Sequence, residues 1–267
     1  MKPPPRYDQI AAGYDATRNW PPAVAAAIGA GLAGLLADWA APGQPLRVLE
    51  IGAGTGRVLA PLAAQGAWAV GLDIAPGMLH LLQAKRPAAG QGALHAVLGD
   101  AAQLPFPDAG FDAGVLVHIL HLVDDWPAVL DEVGRVVRPG GGLVCGLDEQ
   151  QPGDDDWIEA RWAQLVADAG GALPPSQRET ITAAAIAHLA ARGHAIRDVV
   201  LAQWTAARTP ADVLQRYRDR CLATSWDLPD AVLAPALACL TDELRAHYGS
   251  LDTPLPRARS FRVTLAT

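Results

Sequence analysis

A short apolar run, residues 47–51, breaks at once into a turn with glycine at every second position, Gly52-Ala53-Gly54-Thr55-Gly56. Few folds accommodate this. The run is too short for a stable helix and apolar enough to be buried on both faces, as strands of a parallel sheet are. The glycines permit dihedrals closed to other residues and let a ligand approach the backbone. Residues 57–65 then read as a helix. The alternation repeats, with strands expected at 67–73, 93–98, 111–118 and 142–147 and helices at 78–85 and 126–137. Arg138-Pro139-Gly140 stops the last helix. Such alternation predicts right-handed βαβ units and a parallel sheet.

The pattern changes on either side. Pro21-Pro22 opens an apolar run that ends at Ala41. Beyond Asp148, helices are expected at 154–169, 181–192, 209–222 and 230–248, a strand at 195–204, and a closing strand at 259–267 at or near a sheet edge. The expected organisation is therefore an N-terminal helical cap (1–45), an α/β core (46–150), a helical lid region (151–257) containing one core helix and strand at about 181–204, and the closing strand (258–267).

Composition narrows the function. The 267 residues carry a net charge of -7 without any Lys/Arg run, so a nucleic-acid partner, which needs a basic footprint, is not expected. The three cysteines, Cys145, Cys221 and Cys239, are widely spaced and form no Cys-x-x-Cys, which argues against a disulfide framework or a zinc site; no metal is expected. The first ten residues hold three prolines and no apolar core, unlike a signal peptide. The most apolar stretch, 23–37, reads as too short for a bilayer, so no membrane partner and a cytoplasmic location are expected.

The glycine turn has rivals. A dinucleotide fingerprint, G-x-G-x-x-G, would need glycine where Arg57 stands, and no Gly-Lys-Ser/Thr follows for a P-loop. Asp73 ends the second strand, where a carboxylate can accept both hydroxyls of a ribose or, more blandly, cap a helix. Asp100, in Gly99-Asp100-Ala101-Ala102, follows the third strand and can meet an adenine amine or simply form a turn.

Together, residues 48–57, 71–78, 99–111 and 135–143 resemble the class I S-adenosylmethionine (SAM)-dependent methyltransferases, nearest the branch that includes the ubiquinone/menaquinone biosynthesis methyltransferases. Arg-Val-Val-Arg-Pro-Gly-Gly-Gly-Leu resembles that branch's turn before its fifth strand. Tyr-Asp-Gln-Ile-Ala-Ala-Gly-Tyr-Asp-Ala-Thr-Arg at 7–18 resembles its N-terminal cap motif. The resemblance spans roughly 7–148. It implies a Rossmann-like, seven-stranded, mostly parallel sheet whose last strand is antiparallel, with SAM as cofactor. It also implies roles: Glu50, Gly52, Ala53 and Gly54 beside the methionine and ribose, Asp73 on the ribose hydroxyls, and Ile74 and Met78 on adenine. Asp100 and Ala101 would meet the adenine amine and ring, Val117 and His118 would line the far side, and Tyr14 and Arg18 would close over the methionine carboxylate.

Methyl transfer mainly requires alignment and exclusion of water; a base is needed only for a weakly acidic hydroxyl or a protonated amine. His118 and His121, just past the fourth strand, are the candidate bases, against the plainer reading of a packing or cofactor-contacting residue and a loop residue. The acceptor is expected to be a small molecule, aromatic or apolar if Trp157, Trp162, Trp204, Tyr217 and Trp226 line its pocket. Those aromatics could equally be the lid's own core. Arg216, Arg218 and Arg220 read as a solvated helix face, and Asp154-Asp155-Asp156 as a helix start. The competing functions are a non-catalytic SAM-binding protein, an NAD(P)-dependent oxidoreductase, and a tRNA or protein methyltransferase.

Overall fold

The computed structural model describes residues 6–18, 20–87, 92–221 and 225–267. Their strands are β1 (Arg47–Ile51), β2 (Trp68–Asp73), β3 (Ala93–Leu98), β4 (Phe111–Val117), β5 (Val137–Gln150), β6 (Ile196–Arg208) and β7 (Leu255–Ala266). They form one seven-stranded sheet in the order β3-β2-β1-β4-β5-β7-β6. β1 to β5 pair in parallel. β7 runs against both neighbours. Gln151 donates to Ala258 O, Ala195 and Thr267 exchange both backbone hydrogen bonds, and that reciprocal exchange marks an antiparallel pair. The sheet is thus mostly parallel with its last strand reversed. β1 and β4 are neighbours although β2 and β3 intervene in sequence, and this switch in order opens a crevice at their carboxyl ends.

The helices are α1 (Arg6–Arg18), α2 (Pro22–Leu36), α3 (Leu59–Ala63), α4 (Pro76–Ala84), α5 (Trp126–Val136), α6 (Trp157–Asp168), α7 (Arg178–Ala191), α8 (Pro210–Arg218) and α9 (Asp230–Tyr248). Their ends have local causes. Asp125 caps α5 by accepting from Ala128 N at 3.1 Å. Val129, Leu130, Val133 and Val136 form the buried stripe of α5 against the sheet. α3 is shorter than expected at both ends; Gly56, with a left-handed φ of 78°, precedes it and its carbonyl accepts from Ala60 N. With its following short turn, α2 makes an 18-residue run, Pro22–Trp39, long and apolar enough by length and composition to cross a bilayer. This corrects the expectation that the stretch is too short. Its inner face, Ile28, Gly29, Leu32 and Leu36, is buried. A Cβ at Gly29 would come within 2.6 Å of Pro61 O, so glycine there lets α2 approach α3.

The described residues divide into two compact units. The first comprises those of Met1–Glu149, Gln177–Gln203 and Ser260–Thr267. Its core runs from Leu49, Ile51, Val70 and Leu116 to Val133, Leu143 and Leu189. The second comprises those of Gln150–Ser176 and Trp204–Arg259. It has its own core, including Ile158, Trp162, Leu165, Tyr217, Val232 and Leu240. Trp162 and Tyr217 stack there with ring centroids 4.2 Å apart and planes 11° apart, so these two aromatics are core residues of that unit. Asp155 is buried in ion pairs with Arg257 and, at 2.7 Å, Arg208, while α6 starts just after Asp156. Arg220 lies beyond α8 and pairs with Asp230 at 2.5 Å, so it is not part of a helix face.

Candidate active site

The glycine turn lies at the crevice between β1 and β4. Gly52, Gly54 and Gly56 have φ values of 66°, 53° and 78°. A Cβ at Gly52 would sit 2.5 Å from Ile119 Cδ1, whereas nothing lies within 4 Å of one at Gly54. The turn is therefore packed on one side and open at its tip. Ala53 N donates to Leu72 O at 3.0 Å, which ties the turn to β2.

Asp73, at the end of β2, accepts from Gly54 N at 2.8 Å on Oδ2 and from Ala75 N at 2.9 Å on Oδ1. Burial raises its pKa above the ordinary carboxylate value, opposed by those backbone donors. Ile74 N–H also acts on this carboxylate, and the roughly four lone-pair sites of its two oxygens leave room for a further donor. Glu50 is buried at the end of β1; burial pushes its carboxyl up to about 8 against the pull of Arg57, and its Oε2 has no hydrogen-bond partner among the described residues.

The other expected residues divide. Ile74 is exposed, 52% of its surface being free. Met78, expected against an adenine ring, is instead buried with Ala11 and Ala75 in a cluster that Tyr7 and Tyr14 pack against, because α1 lies on α4. Asp100 is exposed and its Oδ1 accepts from Ala102 N at 2.9 Å, a local turn. Ala101 packs against the core and Val117 is buried at the end of β4.

Carboxylates hold α1 to the turn and to α4. Asp8 Oδ1 accepts from Gly77 N at 2.6 Å, in the first turn of α4. Asp15 accepts from Thr55 Oγ1 at 2.5 Å and pairs with Lys85 at 2.6 Å. Arg57 Nη1 donates to Arg18 O at 2.9 Å, and the Arg18 guanidinium lies 5.7 Å from the centre of the Tyr14 ring. Burial raises the Tyr7 hydroxyl above its usual pKa.

Across the crevice, the carboxylate of Asp148 near the end of β5 gathers donors from three parts of the chain. Trp20 Nε1 donates to Oδ1 at 2.8 Å; Arg57 Nη2 at 2.6 Å and His118 Nε2 at 2.9 Å meet Oδ2. Arg57 also lies 4.1 Å above the Trp20 ring. Burial lowers the His118 pKa, with Asp148 pulling the other way. Burial, with help from His118, Arg178 and Arg18, pushes His121 down to about 4. Both shifts favour the neutral ring. Asp148, Trp20, Asp8 and Asp15 were not among the residues expected from the sequence. For Asp148 a signal existed: it stands at the carboxyl end of a parallel strand, where ligands bind in open α/β sheets.

The family model described as a methyltransferase domain matches residues 49–145. A demethylmenaquinone methyltransferase from Mycobacterium sp. (strain KMS) is 39% identical over 147 residues, covering 52% of this chain and 56% of the relative. The chain thus spans about half the length of that curated relative. Among solved structures, a SAM-dependent methyltransferase from Thiobacillus denitrificans in complex with S-adenosylhomocysteine shares the fold, with a TM-score of 0.52, 16% identity and 99% coverage of both chains. The [4+2]-cyclase SpnF shares it with a TM-score of 0.50 and 17% identity, covering 98% of this chain and 93% of the other.

Proposed function

We propose that this chain, whose residues 49–145 match a methyltransferase-domain family, is a SAM-dependent methyltransferase of class I acting on a small-molecule acceptor. The observation that carries the reading is the Asp73 carboxylate, which braces the glycine turn through Gly54 and stands at the sheet's switch point with acceptor capacity left for a ribose hydroxyl. The fit extends to the open tip at Gly54 and to the buried Oε2 of Glu50, which lacks a partner that a cationic or hydroxyl donor would supply. When bound, SAM supplies a methyl group on a sulfonium for in-line displacement.

The chain's own residues then bind, orient and exclude water. Asp73 takes the ribose hydroxyls. Gly52, Ala53 and Gly54 follow the ribose and methionine, with Glu50 beneath. Ile74 offers an exposed apolar surface to adenine, and Asp100 and Ala101 meet its edge. Met78 acts from below, as part of the packing that supports α1. Tyr14 and Arg18 cover the methionine end, and Val117 and His118 close the far side. We assign acceptor choice to residues 150–176 and 204–259. A quinone-type ring is the first acceptor to try, given the activity named for the curated relative.

A non-catalytic or differently reacting SAM-binding protein is the second reading, and the cyclase of the same fold favours keeping it. An NAD(P)-dependent oxidoreductase fits less well. Arg57, in place of the third glycine, is committed to Arg18 O and Asp148. Calorimetry with SAM and S-adenosylhomocysteine, followed by turnover with a reduced naphthoquinone, tests the proposal. Binding of neither compound by folded protein would sink it.

A further inference from the structure

We propose that Asp148 is a positioning residue that locks the His118 ring with its proton on Nε2, leaving Nδ1 as the base toward an acceptor that carries an aromatic hydroxyl. The inference rests on the methyltransferase reading above.

The tautomer follows from the distances. Nε2 lies 2.9 Å from Asp148 Oδ2 and 3.4 Å from Asp148 N. One nitrogen cannot donate to the carboxylate and accept from the amide at once. The amide contact is too long for a good hydrogen bond and the carboxylate contact is not. Nε2 therefore carries the proton, and the lone pair sits on Nδ1. That atom is buried and has no hydrogen-bond partner among the described residues. A buried acceptor without a partner calls for an explanation, and an incoming hydroxyl provides one. His118 also holds a left-handed φ of 55°, uncommon for a non-glycine residue.

Asp148 is itself fixed. Burial opposes its ionisation, yet the bond to His118, the Arg57 guanidinium and the Trp20 indole hold its carboxyl well below the usual carboxylate range. The charged and titratable groups acting on His118 are Asp148 on β5, Arg57 on the turn and Arg178 on α7, and His121 lies close enough to feel its charge. Burial, Arg57 and Arg178 disfavour the imidazolium and Asp148 favours it; the net shift is downward, so the ring starts neutral and Asp148 offsets part of the cost of the charge as it appears. In the step, the acceptor's O–H bond breaks and its proton moves to Nδ1. The electron pair released accepts the methyl group at oxygen or at a conjugated ring carbon. For a ring carbon, the hydrogen it carried leaves as a proton to water and the ring oxygen takes a proton from water, restoring the hydroxyl. The carbon–sulfur pair returns to sulfur, and the positive charge lost there reappears on the imidazolium facing Asp148.

The test uses the full chain, wild type and Asp148→Asn, with Asp148→Glu as the conservative variant. Binding of S-adenosylhomocysteine is measured first; its absence in the wild type would remove the methyltransferase reading rather than this inference. Nitrogen-resolved NMR of the His118 ring then reads the tautomer without turnover. The expected result is an Nε2–H ring in the wild type and a loss of that preference in Asp148→Asn. A wild-type ring protonated on Nδ1, or an unchanged ring in the variant, overturns the proposal. With SAM and 1,4-naphthalenediol, Asp148→Asn is expected to lower kcat by about 10- to 100-fold, part of the ~10²–10⁴-fold a general base contributes, with the acceptor KM within threefold and the acid limb of the pH profile displaced. Asp148→Glu should recover part of the loss. Equal kcat and pH profiles, or no turnover of the diol by wild-type protein that binds S-adenosylhomocysteine, would overturn it.

Discussion

Replacing Asp73 by alanine tests the binding geometry most sharply. Its carboxylate holds Gly54 N at 2.8 Å and Ala75 N at 2.9 Å, so the substitution removes both the brace of the glycine turn and the acceptor assigned to the ribose hydroxyls. Hydrogen bonds to a charged group contribute about 1.5–3 kcal/mol each, so losing a hydroxyl pair costs more than about 3 kcal/mol before the site relaxes. Relaxation and water recover part of this. A net loss of at least about 2 kcal/mol is expected, roughly 30-fold in Kd. Asp73→Asn retains one acceptor oxygen and should fall between, near ~10-fold, a loss of ~1.4 kcal/mol. The assay is calorimetric titration with S-adenosylhomocysteine, which binds without turnover, alongside thermal unfolding to confirm a folded variant. Folded Asp73→Ala protein with wild-type affinity would refute the ribose assignment.

Gly52→Ala should destabilise by about 2–4 kcal/mol, since it adds left-handed strain to a clash with Ile119, and should abolish cofactor binding; denaturant unfolding reads the first and calorimetry the second. Glu50 has a folded pKa raised to about 8, so between 4.5 and 8 the native state holds a proton that the unfolded chain releases. Stability should therefore fall as pH rises through that window, and Glu50→Gln should flatten the decline in Tm between pH 5 and 9. His121 has the opposite sign. With its folded pKa lowered to about 4, the unfolded chain binds more protons below 6.5, so its contribution is lost as pH falls from 6.5 through 4. His121→Gln should reduce that acid sensitivity in the same Tm series. Trp162→Ala should cost about 3–5 kcal/mol by emptying the core position stacked on Tyr217, measured by denaturant unfolding.

The central sheet was legible because β1 to β4 are short, apolar and punctuated by glycine or aspartate, signals that act within a few residues. Strand ends were less so. β5 begins at Val137 rather than 142, and β7 at Leu255 rather than 259. Their extra residues are recruited by pairing with neighbouring strands, which leaves no apolar alternation in the sequence. In the site, the place of Asp73 at the end of β2 and the left-handed glycine turn were readable because they follow from local spacing. Met78 was not, since what covers it comes from α1, far back in the chain. The partners of Asp148 lie 128, 91 and 30 residues away, so only the folded chain reveals that Trp20, Arg57 and His118 converge on one carboxylate. Arg57 was informative in sequence only for what it excluded; its bond to Asp148 gives it a place in the site.

The central claim is that the crevice at β1 and β4 takes SAM. Calorimetric titration of the full chain with SAM and with S-adenosylhomocysteine, using NAD(H) as control, tests it directly. Micromolar binding of the first two and none of NAD(H) is the predicted result. Binding of NAD(H) with no response to SAM or S-adenosylhomocysteine would contradict the account and restore the oxidoreductase reading.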